Sequence, residues 1–167
     1  MVSNLVYVSG ALSDVPDTIR QQYLDFYEAI GRLVESLNLS PYIPHQNTDP
    51  VRHKDVTPKR VDFIDRTAVM SAMLVVAVVD NPSLGVGIEV EMAYHALKPV
   101  ILICHKDRVV QRKISRLVRG NPSVIREIIY MDVDDALHQL EECIHSFLLE
   151  RNDSILPQVL KPYIGLT

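Results

Sequence analysis

Two acidic residues in the middle of the chain have neighbours that suit a chemical role. Residues 80–89 follow an apolar run and read Asp-Asn-Pro-Ser-Leu-Gly-Val-Gly-Ile-Glu. This order predicts a strand, a turn that contains Gly85 and Gly87, and a helix with Glu89 in its first turn. Glycines let backbone N–H groups approach a ligand closely, and open α/β sheets bind ligands at the carboxyl ends of their strands. Glu89 is therefore a candidate catalytic carboxylate, and its alternative role is a favourable interaction with the helix dipole.

Asp65 is the second candidate, because its neighbours at helical spacing are apolar. A helix is predicted over residues 58–72, with a proline in its first position. An ionised carboxylate on the apolar face of a helix is costly unless it is paired or lines a cavity. Burial would raise the pKa of such a group, which suits a proton donor. The alternative is that Asp65 pairs with a nearby arginine or caps a turn. The residues that share its helix face are Val61, Ala68 and Ala72.

Tyr7 and a set of small residues are candidates for contacts around these acids. The Tyr7 ring could lie in the core, and its hydroxyl would then need a partner such as Glu89. Five further residues could supply hydroxyl and amide groups to a sugar or a phosphate, although each alone is typical of ordinary turns. They are Ser9, Gly10, Ser83, Gly85 and Gly87.

The hydrophobic pattern predicts strands and helices in strict alternation. We expect an α/β fold: a flavodoxin-like or Rossmann-like three-layer sandwich with a five-stranded parallel sheet in the order 2-1-3-4-5. The switch point of that order lies between the first and third strands, so it brings Tyr7 to Gly10 beside residues 80–89. Ser13 or Asp14 is predicted to cap the first helix. The predicted strands are residues 4–9, 40–43, 73–79, 100–104 and 125–131, and the predicted helices are residues 16–38, 58–72, 88–97, 110–118 and 134–150.

Composition narrows the class of protein. A chain of 167 residues favours one domain over residues 1–167. Its formal net charge of −4 argues against a nucleic-acid polymer as partner, but not against a small nucleotide. The longest apolar run is too short for a membrane span, and two cysteines imply no disulfide framework, which suits the cytoplasm. We expect no metal or cofactor, because the histidines His45 and His53 lack the spacing of a ligand set.

The ordered motif from Asp65 to Glu89 resembles the nucleoside 2-deoxyribosyltransferase family, which includes the related 2'-deoxynucleoside 5'-phosphate N-hydrolases. The likeness covers roughly residues 4–103, with Tyr7 and the following Val-Ser-Gly resembling the family's first strand and loop. The resemblance implies that Glu89 is the nucleophile that attacks the anomeric carbon of the deoxyribose. It implies that Asp65 contacts the base and moves its proton, and that Tyr7 orients the nucleophile.

The resemblance implies an enzyme that exchanges the nucleobase of 2'-deoxynucleosides through a covalent deoxyribosyl-glutamate. Hydrolysis of deoxynucleoside 5'-monophosphates is the alternative, and a non-catalytic nucleotide-sensing module is a second one. Ser83 stands where the hydrolases carry a serine, whereas the loop over residues 9–14 lacks the arginine that they carry there. Family members complete their sites with neighbouring subunits, so we expect a homo-oligomer, with residues 160–166 as a candidate docking segment.

Overall fold

The structure, a computed structural model, describes residues 3–13 and 15–152. Its strands are β1 (Leu5–Gly10), β2 (Ser40–Tyr42), β3 (Leu74–Val78), β4 (Val100–His105) and β5 (Val124–Tyr130). Its α-helices are α1 (Asp17–Ser36), α2 (Pro58–Ser71), α3 (Leu84–His95), α4 (Lys106–Val110), α5 (Arg116–Arg119) and α6 (Val133–Asn152). A 3₁₀ turn, Pro44–Gln46, follows β2.

The five strands form one parallel sheet in the order β2-β1-β3-β4-β5, which confirms the predicted topology. The central strand β3 is buried along its whole length. Such a strand reads as a continuous apolar run because helices cover both faces of a parallel sheet. The carboxyl ends of β1, β2 and β3 therefore meet at one edge, beside the switch point.

Two apolar clusters fill the two sides of the sheet and make the three predicted layers. Val6 and Val8 of β1 pack on the side of α1 and α6. Tyr7, between them, belongs to the cluster on the side of α2 and α3. Side chains alternate along a strand, so Ser9 faces the same side as Tyr7. Residues 7 and 9 therefore point toward the helices that carry Asp65 and Glu89.

Helix α3 starts earlier than predicted, and this corrects the predicted glycine turn. Ser83 is the N-cap, and its hydroxyl accepts a hydrogen bond from the backbone N–H of Val86 at 3.3 Å. Gly85 and Gly87 consequently lie within the first turns of the helix, and no glycine in the described chain has a positive φ. Glu89 falls in the second turn rather than the first. The serine cap, which the hydrophobic pattern does not register, explains the earlier start.

The predicted cap of the first helix is also wrong. Pro16 occupies the N-cap position of α1, without a side-chain hydrogen bond. Asp14, the other candidate cap, lies outside the described residues.

The single helix predicted over residues 110–118 is replaced by two short helices. His105 caps α4 and Ser115 caps α5, each accepting a backbone N–H bond. Between them Arg112 has a positive φ of 54°, which a continuous right-handed helix does not allow. Gly120 is the C-cap of α5.

None of the helices in residues 3–13 and 15–152 is long and apolar enough to cross a membrane. Both cysteines are free; Cys104 is buried, and Cys143 is half-buried. The candidate docking segment over residues 160–166 lies outside the part of the chain that the structure describes.

Candidate active site

Glu89 projects from α3 toward the end of β1, where two hydroxyl groups hold its carboxylate. The Tyr7 hydroxyl donates to Oε1 at 2.8 Å, and the Ser9 hydroxyl donates to Oε2. Both donors are fully buried, and they lie two residues apart on β1, so they share one face of the sheet. The strand thus orients both oxygens of a half-buried carboxylate on the helix.

The position of Glu89 raises its pKa to about 7. Burial is the main cause, since it penalises the charged form, and the nearby Asp65 carboxylate adds to it. The bonds from Ser9 and Tyr7 act in the opposite direction because they stabilise the anion. Glu89 therefore exists in both protonation states near neutral pH, and above that pH it is ionised while its two donors stay in place.

Asp65 lies on α2 and is only 9% exposed. Its Oδ1 accepts a hydrogen bond from the Tyr42 hydroxyl at 3.1 Å, and the Thr48 hydroxyl lies 3.3 and 3.4 Å from its two oxygens. Its partners within the described residues are hydroxyl groups and not an arginine. Burial raises the pKa of Asp65, and the two hydroxyls oppose that rise. A carboxyl group with a raised pKa keeps its proton nearer to neutral pH, as a general acid must.

A pair of stacked tyrosines joins the two acids. Tyr7 and Tyr42 are register partners on β1 and β2, and their rings stack with centroids 5.4 Å apart at an angle of 16°. Tyr7 bonds to Glu89 and Tyr42 bonds to Asp65. The charge of Asp65 also contributes to the raised pKa of both Glu89 and Tyr7, so the two carboxyl groups act on one small region. The structure thus brings together the two acids that the sequence singled out.

The predicted substrate-binding residues have different surroundings. The Ser9 hydroxyl donates a hydrogen bond to Glu89, and Ser83 caps α3. Gly10 meets a packing requirement, because a Cβ there would clash with the Tyr27 ring. Gly85 is exposed, and a Cβ at Gly87 would meet nothing within 4 Å, so this side of α3 is open. Contact of these residues with a substrate stays a prediction.

Sequence reasoning missed Tyr42 and Thr48. Tyr42 ends β2, and the order of the sheet places that end beside β1. A hydroxyl-bearing side chain at the end of a strand next to the switch point was the available signal. Thr48 offered no such signal, because it lies in the loop after β2 and reaches Asp65 only through the path of that loop.

A third acid, Asp80, follows β3, and its hydrogen bonds go to other strands of the sheet. It is fully buried and accepts hydrogen bonds from the Tyr130 hydroxyl and the His105 backbone N–H, both at 2.5 Å. These partners belong to β5 and β4. Asp80 therefore connects the ends of three strands.

The polar loop that contains His45 also forms side-chain pairs within the protein. His45 is buried and its Nε2 lies 2.7 Å from Oε1 of Glu28, while Arg20 pairs with buried Asp49 at 2.6 Å. Across the ranges 3–13 and 15–152 no three or more His, Cys, Asp or Glu side chains are grouped to hold a metal ion.

Comparison with known sequences finds one informative likeness. The chain is 37% identical over 91 residues to a candidate 2'-deoxynucleoside 5'-phosphate N-hydrolase 1 of Thermofilum pendens (strain DSM 2475 / Hrk 5). The match covers 53% of this chain and 61% of that relative. No family model matches the chain.

Comparison with solved structures finds the same fold over most of the chain. The CMP N-glycosidase BcmB of Clostridium botulinum aligns with a TM-score of 0.62 at 19% identity, over 83% of this chain and 98% of that one. The solution structure of BlsM aligns with a TM-score of 0.67 at 20% identity, over 92% and 97% of the two chains. A 2-desoxiribosyltransferase of Leishmania mexicana aligns with a TM-score of 0.52 at 13% identity, over 83% and 97%.

The sequence likeness lies in about half of the chain, and the structural likeness covers the sheet and its helices. Three of these proteins are named as a 2'-deoxynucleoside 5'-phosphate N-hydrolase, a CMP N-glycosidase and a 2-desoxiribosyltransferase. These findings confirm that the chain resembles the nucleoside 2-deoxyribosyltransferase family, together with its related 2'-deoxynucleoside 5'-phosphate N-hydrolases.

Proposed function

We propose that this protein cleaves the N-glycosidic bond of 2'-deoxynucleoside 5'-monophosphates, with Glu89 as nucleophile and Asp65 as general acid. The observation that carries the proposal is the Glu89 carboxylate, held by two buried hydroxyls, with a second acid of raised pKa nearby. The likeness to a candidate N-hydrolase of 5'-phosphates favours this substrate class. Ser83 supports it as well, since it matches the serine of the hydrolases.

In the first step a carboxylate oxygen of Glu89 attacks the anomeric carbon. The bond between that carbon and the base nitrogen breaks, and its electron pair leaves with the base. Asp65 gives its proton to the base, either on that nitrogen or on another ring atom. The positive charge that develops on the sugar is stabilised by the adjacent carboxylate, and a covalent deoxyribosyl-Glu89 results.

In the second step water attacks the same carbon from the opposite side. The Asp65 carboxylate takes the proton from the water, and Glu89 leaves as a carboxylate. The products are the free base and 2-deoxyribose 5-phosphate. Two displacements retain the configuration at the anomeric carbon.

Base exchange between deoxynucleosides, which the sequence motif placed first, is the second candidate. The loop after β1 favours it, because residues 9–14 contain no arginine where the hydrolases carry one. In that reaction a second nucleobase, rather than water, attacks the deoxyribosyl-Glu89.

A product assay separates the two reactions. The protein is incubated with each 2'-deoxynucleoside 5'-monophosphate and, in parallel, with deoxyinosine plus cytosine, and the products are resolved by liquid chromatography. We expect free base and deoxyribose 5-phosphate from the monophosphates. Deoxycytidine formed from deoxyinosine would instead establish base exchange, and no turnover of any substrate would contradict both candidates.

Trapping of the intermediate tests the role of Glu89. A deoxynucleotide with fluorine at C2' of the sugar forms the covalent adduct, but the adduct hydrolyses slowly. The reason is that the fluorine destabilises the oxocarbenium-like state. We expect a sugar adduct on Glu89 by intact-protein and peptide mass spectrometry, and none on the Glu89→Gln variant. A nucleotide-sensing module would bind the ligand without forming an adduct.

The wider expectations of one domain over residues 1–167, a homo-oligomer and a cytoplasmic location stay predictions. Small deoxynucleotides or deoxynucleosides and their bases are the proposed partners. Light scattering on the full chain measures the oligomeric state, and a monomer would contradict the expected assembly.

A further inference from the structure

Asp65 and Glu89 differ in the hydrogen-bond donors that surround their carboxyl groups. Each oxygen of Glu89 has its own hydroxyl donor from β1. Asp65 has two hydroxyl neighbours, Tyr42 and Thr48, and they come from β2 and from the loop after it.

The Thr48 hydroxyl is a weak donor to Asp65. It lies 3.0 Å from the carbonyl oxygen of Pro44 but 3.3 and 3.4 Å from the Asp65 oxygens. A hydroxyl has one proton to donate, and it donates that proton to the nearer acceptor, the Pro44 carbonyl oxygen. The Thr48 oxygen can then accept from protonated Asp65, whereas Tyr42, at 3.1 Å, is left as the donor to ionised Asp65.

The Tyr42 ring is in turn held by its neighbour. It stacks on fully buried Tyr7 with the two rings 16° from parallel, and the two residues are paired in the sheet register. The hydroxyl of a stacked, half-buried ring has few alternative positions, so the direction of its bond to Asp65 is set by the sheet.

We propose that Tyr42 is a positioning residue for Asp65, and that it stabilises the carboxylate which remains after Asp65 has given its proton to the leaving base. The role rests on the proposed function. Proton transfer from Asp65 to the base turns a neutral carboxyl group into a carboxylate, and a hydrogen bond to a charged acceptor is stronger than one to a neutral acceptor. The Tyr42 bond therefore strengthens as the N-glycosidic bond breaks, which lowers the barrier.

A double-mutant cycle tests this role. Tyr42→Phe removes the hydroxyl and keeps the stacked ring, and it is made in the natural chain and in Asp65→Asn. With the monophosphate that the natural protein cleaves fastest, we expect Tyr42→Phe to lower kcat/KM about tenfold to hundredfold. In the Asp65→Asn background we expect less than about a twofold change, because residues that act through one another are not additive. An equal loss in both backgrounds, or no loss in the natural chain, would overturn the proposal.

A titration tests the same bond without any turnover. The Tyr42 hydroxyl lowers the pKa of Asp65, against the larger effect of burial. Carboxyl ¹³C NMR should therefore show a higher pKa for Asp65 in Tyr42→Phe than in the natural chain, and an unchanged pKa would contradict the hydrogen bond. In active protein the alkaline limb of the kcat/KM profile should move to higher pH as well.

Controls separate this role from a loss of fold and from failure of the proposed function. Tyr94→Phe removes a hydroxyl from α3, where the ring lies against His95, and it should leave kcat/KM and the pKa of Asp65 unchanged. Thermal unfolding compares the folded fraction of each variant. Absence of cleavage by the natural chain refutes the proposed function, whereas cleavage that Tyr42→Phe leaves untouched refutes only the role of Tyr42.

Discussion

Glu89 and Asp80 lie close together in the sequence, Asp80 between β3 and α3 and Glu89 in the second turn of α3, yet their surroundings differ. Each accepts a hydrogen bond from a tyrosine, Glu89 from Tyr7 and Asp80 from Tyr130. Burial is the leading cause of a raised pKa in both. Asp80, however, is fully buried and connects three strands, whereas Glu89 is half-buried with a second acid nearby.

The comparison shows that burial and a tyrosine partner do not by themselves make a catalytic carboxylate. Structural acids acquire shifted pKa values for the same physical reasons as functional ones. Partial exposure and a second acid nearby distinguish Glu89, and both fit its proposed role. Substitutions at the two acids should therefore have different consequences.

Loss of the proposed nucleophile should separate the two acids most sharply. Glu89→Gln keeps the shape of the side chain but cannot attack the sugar, so we expect kcat/KM to fall by roughly four orders of magnitude or more, about 5 kcal/mol of barrier. Asp80→Asn is the matched control and should stay within about tenfold of the natural chain, since the hydrogen-bond partners of Asp80 in the described part of the chain lie on β4 and β5. Steady-state kinetics on folded variants measure both, and a larger loss in Asp80→Asn would reverse the assignment.

Removal of the proposed general acid, Asp65, should have the next largest effect. Asp65→Asn cannot protonate the leaving base, and general acid catalysis typically contributes roughly 10²- to 10⁴-fold, about 3–5 kcal/mol. We expect kcat to fall by that factor, with Asp62→Asn, an exposed acid on the same helix, as control. Equal rates for Asp65→Asn and the control would exclude Asp65 as the proton donor.

The structural role of Asp80 should appear in stability. Asp80→Ala leaves the buried Tyr130 hydroxyl and the partly buried His105 N–H without this acceptor, at about 1–3 kcal/mol for each unsatisfied group. We expect the free energy of unfolding in urea to fall by about 2–4 kcal/mol. Glu89→Ala should cost less, and the opposite order would show that the site around Glu89 is the stronger structural contact.

Glu89 itself should lower stability at alkaline pH. Its folded-state pKa of about 7 exceeds the ordinary value of 4.5, so the folded protein binds more protons between these values. The free energy of unfolding therefore falls as pH rises from about 5 to 7 because of this residue. Glu89→Gln removes that effect, so it should raise Tm by a few degrees more at pH 8 than at pH 5. A gain of equal size at both pH values would mean that Glu89 titrates normally.

The smallest effect concerns the hydroxyl of Ser9. Its bond to Glu89 lowers the pKa of that carboxyl, so Ser9→Ala should raise the pKa above about 7. The acid limb of the kcat/KM profile should move to higher pH by less than about one unit, because the Tyr7 bond remains. Ser13→Ala, in the loop that follows β1, is the control. A shift to lower pH would contradict the direction of the bond.

Much of the fold was predictable because its signals are local. Alternating apolar runs and amphipathic segments predicted the parallel sheet and its order, and most boundaries were right to within a few residues. The errors occurred where a single polar side chain determines the residue at which a helix begins. Ser83 starts α3 before the glycines, and the caps at His105 and Ser115 divide the predicted fourth helix.

The two acids of the site were predictable for different reasons. Asp65 was visible because a carboxylate interrupts an apolar helix face, and Glu89 because it follows the third strand at the switch point. Their hydroxyl partners were harder to predict. Tyr7 was proposed as a partner of Glu89, whereas Tyr42 was not associated with Asp65, since that contact depends on the pairing of β1 with β2.

The amino-acid sequence alone determined the succession of strands and helices, the placement of an acid on α2 and another on α3, and the motif that resembles a known family. These properties follow from periodicity and from neighbours within a few residues. The tertiary structure decided that Tyr7 and Tyr42 stack, that each holds one acid, and that Asp80 connects strands instead. Strand register and helix docking are set by packing across the whole sheet, so no local stretch of sequence contains them.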